Sequence, residues 1–484
     1  MLYSTCVAEL GESETRRAVH ELTLPFAEIP LRRGISTLAF SSSLSGYLEA
    51  IQLESARQFQ LDGIITWDKA KYSQSELPVY TPRELNHLTE KASLLDNGTP
   101  IPFLDLRAQH HSTYNEIDDR ITEITAHTAF ILGKQVEEFE KRFAEAQEVP
   151  YCLGVSSGTD ALHIALMVLG IGPGDAVIAP ASTFMATAEA ISLCGAVPVF
   201  VDCDEYQNLH AGRARELLEG WGSSGKGGRG PALGRLRVRA ILPVHLYGHP
   251  ADMEAILKLA EEYRLEVVED CCQGHLASWG GKKVGVFGAF GAFSFYPGKN
   301  LGAYGEAGAL VTCDAELYRK ARMVRQHGEI QRYHHEVIGH NYRMEAIQGA
   351  VLSAKIGHLE RWTAMRRAHA ALYNALLENV EEVEVPMEHP NARAVYHLYV
   401  IRVNDRDGLQ RYLRDRGIVT GLHYPVPLHL QPAYASLGYR EGDLPVAERN
   451  AKRVLSLPMY PELTDSQVRR VVEVIKAFLA RKRN

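Results

Sequence analysis

The stretch Ser294-Phe295-Tyr296-Pro297-Gly298-Lys299-Asn300-Leu301-Gly302 sets one lysine among small, aromatic and turn-forming residues. The apolar run Phe290 to Phe293 leads in, and Gly302, Gly305 and Gly308 follow. A lysine is usually a surface residue. In a partly apolar pocket its ammonium loses solvation, its pKa falls, and the neutral amine becomes a nucleophile able to form a Schiff base. Ser156 to Thr159 is a glycine-containing turn that opens a helix-like apolar run, Ala161 to Leu166. Free N–H groups and the positive end of a helix dipole at such a turn suit a phosphate. Asp270 closes another apolar run, 29 residues before Lys299.

Together these parts match the needs of pyridoxal phosphate. An acid must keep the ring nitrogen protonated, a lysine must hold the aldehyde carbon, and N–H and hydroxyl groups must hold the phosphate. Lys299 and Asp270 are the candidate catalytic pair, with Gly158 and Thr159 at the phosphate and Ser294 placed beside the lysine turn. Taken singly, each residue has a plainer explanation. Asp270 would serve as a helix N-cap, Phe184 as core, and Gln273 and Ser294 as ordinary polar positions.

The elements around these residues indicate an α/β protein. Short apolar runs at Ala176–Ala179, Val197–Asp202, Arg239–His245, Glu266–Asp270, Gly288–Phe295 and Ala309–Thr312 read as strands. Helical patterns lie between them, at Lys134–Ala146 and Thr183–Leu193 among others. Such alternation predicts a mostly parallel sheet covered on both faces, with ligands at the carboxyl ends of its strands. After Met344 the pattern changes to a smaller α+β domain, with an alternating strand at Val395–Arg402 and an amphipathic helix at Asp465–Arg481. The turn cluster Asn97-Gly98-Thr99-Pro100 marks an earlier boundary. The expected domains are thus 1–98, an α/β segment; 99–343, the large domain; and 344–484, the small one.

From about Ile101 to the C-terminus the chain resembles the sugar-nucleotide aminotransferases of the DegT/StrS type, which have the type I pyridoxal-phosphate transferase fold. The resemblance rests on ordered motifs: Ser157-Gly-Thr-Asp160, Thr183-Phe184-Met-Ala-Thr187, Pro243-Val-His-Leu-Tyr-Gly248, Val268-Glu-Asp270-Cys-Cys-Gln273-Gly-His275, Ser294 to Gly302, and Gly339-His-Asn341-Tyr-Arg343. It implies that Lys299 carries the cofactor and moves the proton, and that Asp270 pairs with the ring nitrogen. It further implies that Gln273 meets the phenolic oxygen, that Phe184 stacks on the ring, and that Gly158, Thr159 and Ser294 hold the phosphate. Asn341 would reach the cofactor of a neighbouring subunit, which implies a homodimer with shared sites. Relatives with histidine in place of the lysine dehydrate their sugar, so Lys299 favours amine transfer, with L-glutamate the expected donor and a nucleotide-linked keto sugar the acceptor. Gln331 to His335 and His423 to His429 resemble the branch that acts on 3-keto sugars, with Tyr333, His334 and His335 as candidate substrate contacts. A catalytically inactive, ligand-sensing member of the same fold is the rival reading.

Bulk properties narrow the field. With 46% apolar residues, 484 residues bury a sizeable core, and a net charge of −7 argues against broad nucleic-acid or anionic-membrane binding. Seven scattered cysteines without CxxC spacing predict a reducing, cytoplasmic setting and no structural zinc. There is neither an apolar run of 18 residues nor a signal-peptide layout, so a soluble protein is expected. Gly220 to Lys226 superficially matches a phosphate-binding P-loop, but Gly227 stands where a magnesium-binding hydroxyl is required. Residues 1–98 resemble the later part of a PIN domain, a metal-dependent ribonuclease fold. Glu49, Asp62 and Asp68 would be its acids. The opening strand with the first aspartate is missing, so a truncated scaffold is expected in preference to an active nuclease.

Overall fold

The computed structural model describes residues 99–221 and 236–483, with Leu53 and short pieces between residues 64 and 81. Glu49, Asp62 and Asp68 lie outside the described residues, as does Lys226. The chain divides into two compact units, Met1–Thr99 with Arg107–Asp118, and Pro100–Leu106 with Asp119–Asn484. In the first, Ile64–Ile65 and Val79–Tyr80 pair in parallel, and Leu53 and Tyr72 are buried with Ile64, Leu77 and Val79 packed around them. The second unit contains every candidate cofactor residue.

Its centre is a seven-stranded sheet: β1 (Tyr151–Val155), β2 (Asp175–Pro180), β3 (Val197–Val201), β4 (Arg237–Ile241), β5 (Glu266–Asp270), β6 (Phe290–Ser294) and β7 (Gly308–Thr312). The spatial order is β1-β7-β6-β5-β4-β2-β3. Only β7 runs against its neighbours; the remaining pairs are parallel. The register sets Ala292 of β6 opposite Asp270 of β5, so the two strands end side by side and Ser294 lies just beyond.

Alternating side chains feed two apolar layers. Val177, Ala179, Val268, Phe290 and Ala292 pack beneath helices Gly158–Val168, Met185–Leu193 and Ala315–Arg325. On the other face, Ile178, Ile241 and Val267 meet Met253–Tyr263, while Phe293, Ala309 and Val311 meet Phe139 and Phe143 of Lys134–Ala146. Helix Ala346–Lys355, just past the expected boundary at 343, contributes Leu352 to this same layer. A separate core follows. Tyr373 and Leu377 of helix Leu359–Leu377 pack on the antiparallel pair Tyr399–Arg402 and Val454–Leu457 and on Val468 to Ile475. Ile101 joins this core, donating its N–H to the Gly417 carbonyl at 2.7 Å. Among the described residues no helix is long and apolar enough to cross a membrane.

Candidate active site

Asp270 is the last residue of β5 and only 5% exposed. One carboxylate oxygen accepts the Cys272 N–H at 3.1 Å, and the other accepts the Thr187 hydroxyl at 2.8 Å. The backbone is fixed as well: its N–H reaches the Pro243 carbonyl at 2.9 Å, and its carbonyl receives the His245 N–H at 3.0 Å. Asp270 is therefore a strand-end acid and caps no helix.

Beside it, helix Gly158–Val168 begins directly against the ends of β5 and β6. A Cβ built on Gly158 would lie 2.7 Å from the Ser294 Cβ and 2.8 Å from the Cys272 Sγ, so only glycine fits. Ser157 caps the helix, its hydroxyl accepting the Asp160 N–H at 3.1 Å, while its carbonyl takes the Ala161 N–H. That leaves the N–H groups of Gly158 and Thr159 without an intrahelical acceptor, at the positive end of the helix dipole. Ser294 sits at the same place, its hydroxyl accepting the Tyr296 N–H at 3.3 Å.

Lys299 stands on the turn that follows, its N–H bonded to the Tyr296 carbonyl at 2.8 Å. The turn folds back so tightly that a Cβ on Gly302 would meet the Pro297 carbonyl oxygen at 2.2 Å. Helix Ala346–Lys355 pins its far side: Lys355 donates to the Gly302 carbonyl at 2.9 Å, and Gln348 accepts the Tyr304 N–H at 3.0 Å. Lys299 is partly exposed as a residue, yet its amine is desolvated. Desolvation lowers its pKa below the ordinary lysine range, opposed by the nearby Cys272 and Asp270. Three histidines lie near enough to feel the Lys299 charge. Burial pushes His275 down to about 3 and His423 to about 4, and depresses His397 further; the Lys299 charge adds to each effect. At neutral pH these imidazoles are therefore uncharged.

Gln273 closes the group. Its side-chain oxygen accepts the Tyr247 N–H at 2.6 Å, and its amide donates to the Tyr424 hydroxyl at 3.1 Å. The Tyr247 hydroxyl in turn donates to the His423 carbonyl. Phe184, the residue before helix Met185–Leu193, is 55% exposed, with its ring 5.7 Å from that of Tyr424. An exposed aromatic at that position is not the core residue that Phe184 alone would suggest.

The remaining candidates stand apart. Asn341 is exposed, and its side-chain oxygen accepts from Arg343 at 2.9 Å. Tyr333, His334 and His335 lie on a hairpin, Glu329–Gln331 with His334–His335, all three exposed; His335 is 2.9 Å from the His327 carbonyl. None of their hydrogen bonds or ring contacts reaches Lys299 or Asp270. Conversely, the sequence reading assigned no role of their own to Thr187, Tyr247, His397, His423 and Tyr424. All but His397 lay within motifs already quoted, so their presence there was the one available signal.

His245, Glu269 and Cys271 form a buried group that superficially suits a metal. The hydrogen bonds argue otherwise. Glu269 accepts N–H groups from Gly285, Phe287 and Gly288, at 2.8, 2.8 and 2.9 Å. His245 Nδ1 accepts the Ala251 N–H at 3.0 Å, so Nε2 carries the proton and donates to Glu269 at 3.1 Å. The carboxylate is a structural tie between the loops flanking β5.

Residues 111–476 match the model of the DegT/DnrJ/EryC1/StrS aminotransferase family. The chain belongs to this family. It is 44% identical over 381 residues to the "pleiotropic regulatory protein" of Geobacillus stearothermophilus, covering 78% of this chain and 98% of that one. It is 42% identical to dTDP-3-amino-3,4,6-trideoxy-alpha-D-glucose transaminase of Streptomyces venezuelae, covering 79% and 97%. The crystal structure of S. venezuelae DesV in complex with a ketimine intermediate superimposes with a TM-score of 0.73 at 42% identity, covering 78% and 98%. The protein is thus a pyridoxal-phosphate aminotransferase of the type I fold. Its residues fit the cofactor: two unclaimed N–H groups at a helix start, a cradle with no room for a Cβ, a buried carboxylate, and a desolvated lysine.

Proposed function

We propose that this aminotransferase moves an amino group from L-glutamate to a nucleotide-linked keto sugar, with carbon 3 of the sugar as the acceptor. The observation that carries the reading is the desolvated Lys299 amine set beside the anchored Asp270. The names of the similar Streptomyces transaminase, and of a 42% identical UDP-N-acetyl-3-dehydro-alpha-D-glucosamine 3-aminotransferase, support the substrate class and the carbon.

Bound pyridoxal phosphate supplies a ring that takes up the electron pair left when the C–H bond beside the amine breaks. The chain's residues do the rest. Asp270 would hold the ring nitrogen protonated. Gly158, Thr159 and Ser294 would hold the phosphate, Phe184 would lie on the ring face, and Gln273 would meet the phenolic oxygen. Lys299 Nζ would take the proton from the amino-bearing carbon and hold it for return on the cofactor side, which suits an amine of lowered pKa. Asn341 of a second copy completes the phosphate site, and Tyr333, His334 and His335 contact the sugar nucleotide. The working unit on this reading is a cytoplasmic homodimer.

In this scheme residues 99–343, with helix Ala346–Lys355 packed onto them, form the cofactor domain, the remainder to 484 the small domain, and 1–98 a truncated PIN-like scaffold. Mg²⁺- or Mn²⁺-dependent RNA cleavage abolished by Asp68→Asn would instead make that segment a nuclease.

The test is incubation of the reconstituted protein with glutamate and a panel of dTDP- and UDP-linked keto sugars, read by product mass. Amination of one 3-keto sugar is the expected result. Turnover confined to other carbons would overturn the regiochemistry. A protein that stays colourless after incubation with pyridoxal phosphate would overturn the catalytic role.

A further inference from the structure

Asp270 receives a hydroxyl from a residue to which no role has yet been given. Thr187 is completely buried and donates to one Asp270 oxygen at 2.8 Å. Its own oxygen is 3.0 Å from that of Thr183, which is 3% exposed. A threonine hydroxyl carries a single proton, and an ionised carboxylate only accepts. The Thr187 proton must therefore point at Asp270, and the Thr183 proton at Thr187. The pair forms a one-way chain, Thr183 to Thr187 to Asp270, with each bond polarising the next.

The spacing adds a second point. Thr183, Phe184 and Thr187 lie on one turn at the start of helix Met185–Leu193, with the Thr187 N–H on the Phe184 carbonyl at 3.3 Å. That turn presents an aromatic ring outward and two hydroxyls inward. We propose that Thr187, backed by Thr183, is a positioning residue that orients the Asp270 carboxylate and ties it to the turn carrying Phe184. One short segment then sets both the face and the ring-nitrogen partner of the cofactor. The inference rests on the proposed pairing of Asp270 with the ring nitrogen.

Thr187→Val keeps the side-chain shape and removes the hydroxyl; Thr187→Ser keeps the hydroxyl. The expected result for Thr187→Val is about tenfold weaker cofactor retention, measured by titrating apoprotein with pyridoxal phosphate. The half-reaction with glutamate should also slow about tenfold, with KM within about twofold of wild type. Thr187→Ser should stay within about twofold of wild type in both, and Thr183→Val should lose about threefold in the same direction. Wild-type cofactor retention in Thr187→Val overturns the proposal, as does a Thr187→Ser protein impaired as badly as Thr187→Val. If Thr187→Val does not fold, as read by thermal unfolding of the apoprotein, Thr183→Val decides: wild-type retention there overturns the chain. Asp270→Asn separates the two levels. If it binds cofactor and turns over normally, the pairing itself falls; if it fails while Thr187→Val does not, only the threonine inference falls.

Discussion

The candidate residues form two unlike walls, an inner one and an outward one that stands apart from it. Asp270, Gly158, Gln273 and Lys299 form one, whose main polar contacts are met from within the chain. Asn341 and the hairpin Glu329–His335 form the other. It faces outward, with Tyr333 80% exposed and Ile338 88% exposed. On our reading a single chain finishes the cofactor side of the site and leaves the other side to a second copy.

The largest effect tests the inner wall. Lys299→Ala should lower turnover by about a thousandfold or more, because the proton carrier is lost while the fold stays intact. Steady-state transamination together with a melting curve checks both halves, and retained activity would refute the role of Lys299. The next test joins the walls. Asn341→Ala and Lys299→Ala proteins, each weak alone, should regain roughly a quarter of wild-type activity when refolded together, if each site draws on two chains. Mixtures no better than their parts would mean that the outward wall serves its own chain or none. A smaller effect is expected from Gly158→Ala, which forces a Cβ to 2.7 Å from Ser294. Overpacking there should destabilise the apoprotein by about 1–3 kcal/mol and weaken cofactor binding by at least about tenfold. An alanine variant that binds and melts as wild type would show that the inner wall is looser than its geometry implies.

The smallest effect is a pH dependence. The fold lowers the pKa of Lys299, so the folded apoprotein binds fewer protons than the unfolded chain between that value and about 10.4. This contribution is full above the unfolded value and is lost as pH falls through the folded one. Apoprotein stability should therefore rise with pH across that window, and rise less in Lys299→Met. Pulse-labelling with an amine reagent near pH 8 should modify Lys299 faster than exposed lysines such as Lys134, and equal rates would contradict a desolvated amine.

Much of this molecule was legible in the chain because the signals are local. Ser157-Gly158-Thr159 reads as a helix start since capping and dipole act within one turn, and the structure uses Ser157 as the cap. Asp270 reads as a strand end because an apolar run stops there. Helix Lys134–Ala146 falls where its spacing predicts, whereas the helix expected from Thr183 starts at Met185. That shift leaves Phe184 at the helix entrance, with its ring outward. The Gln273–Tyr424 hydrogen bond joins residues 151 positions apart, and Thr187 meets Asp270 across 83. No periodicity or spacing carries such pairs.

The sequence by itself determined the class of chemistry: one lysine in an apolar turn, an acid at a strand end and a phosphate-ready helix start, each defined by its immediate neighbours. Only the tertiary structure decided how they work together. Side-by-side registration of Glu266–Asp270 and Phe290–Ser294 brings acid, serine and lysine turn to one edge, and the close approach of Gly158 closes the cradle. Burial then lowers the Lys299 pKa, because desolvation depends on what surrounds the amine in space, and most of those neighbours are far away along the chain.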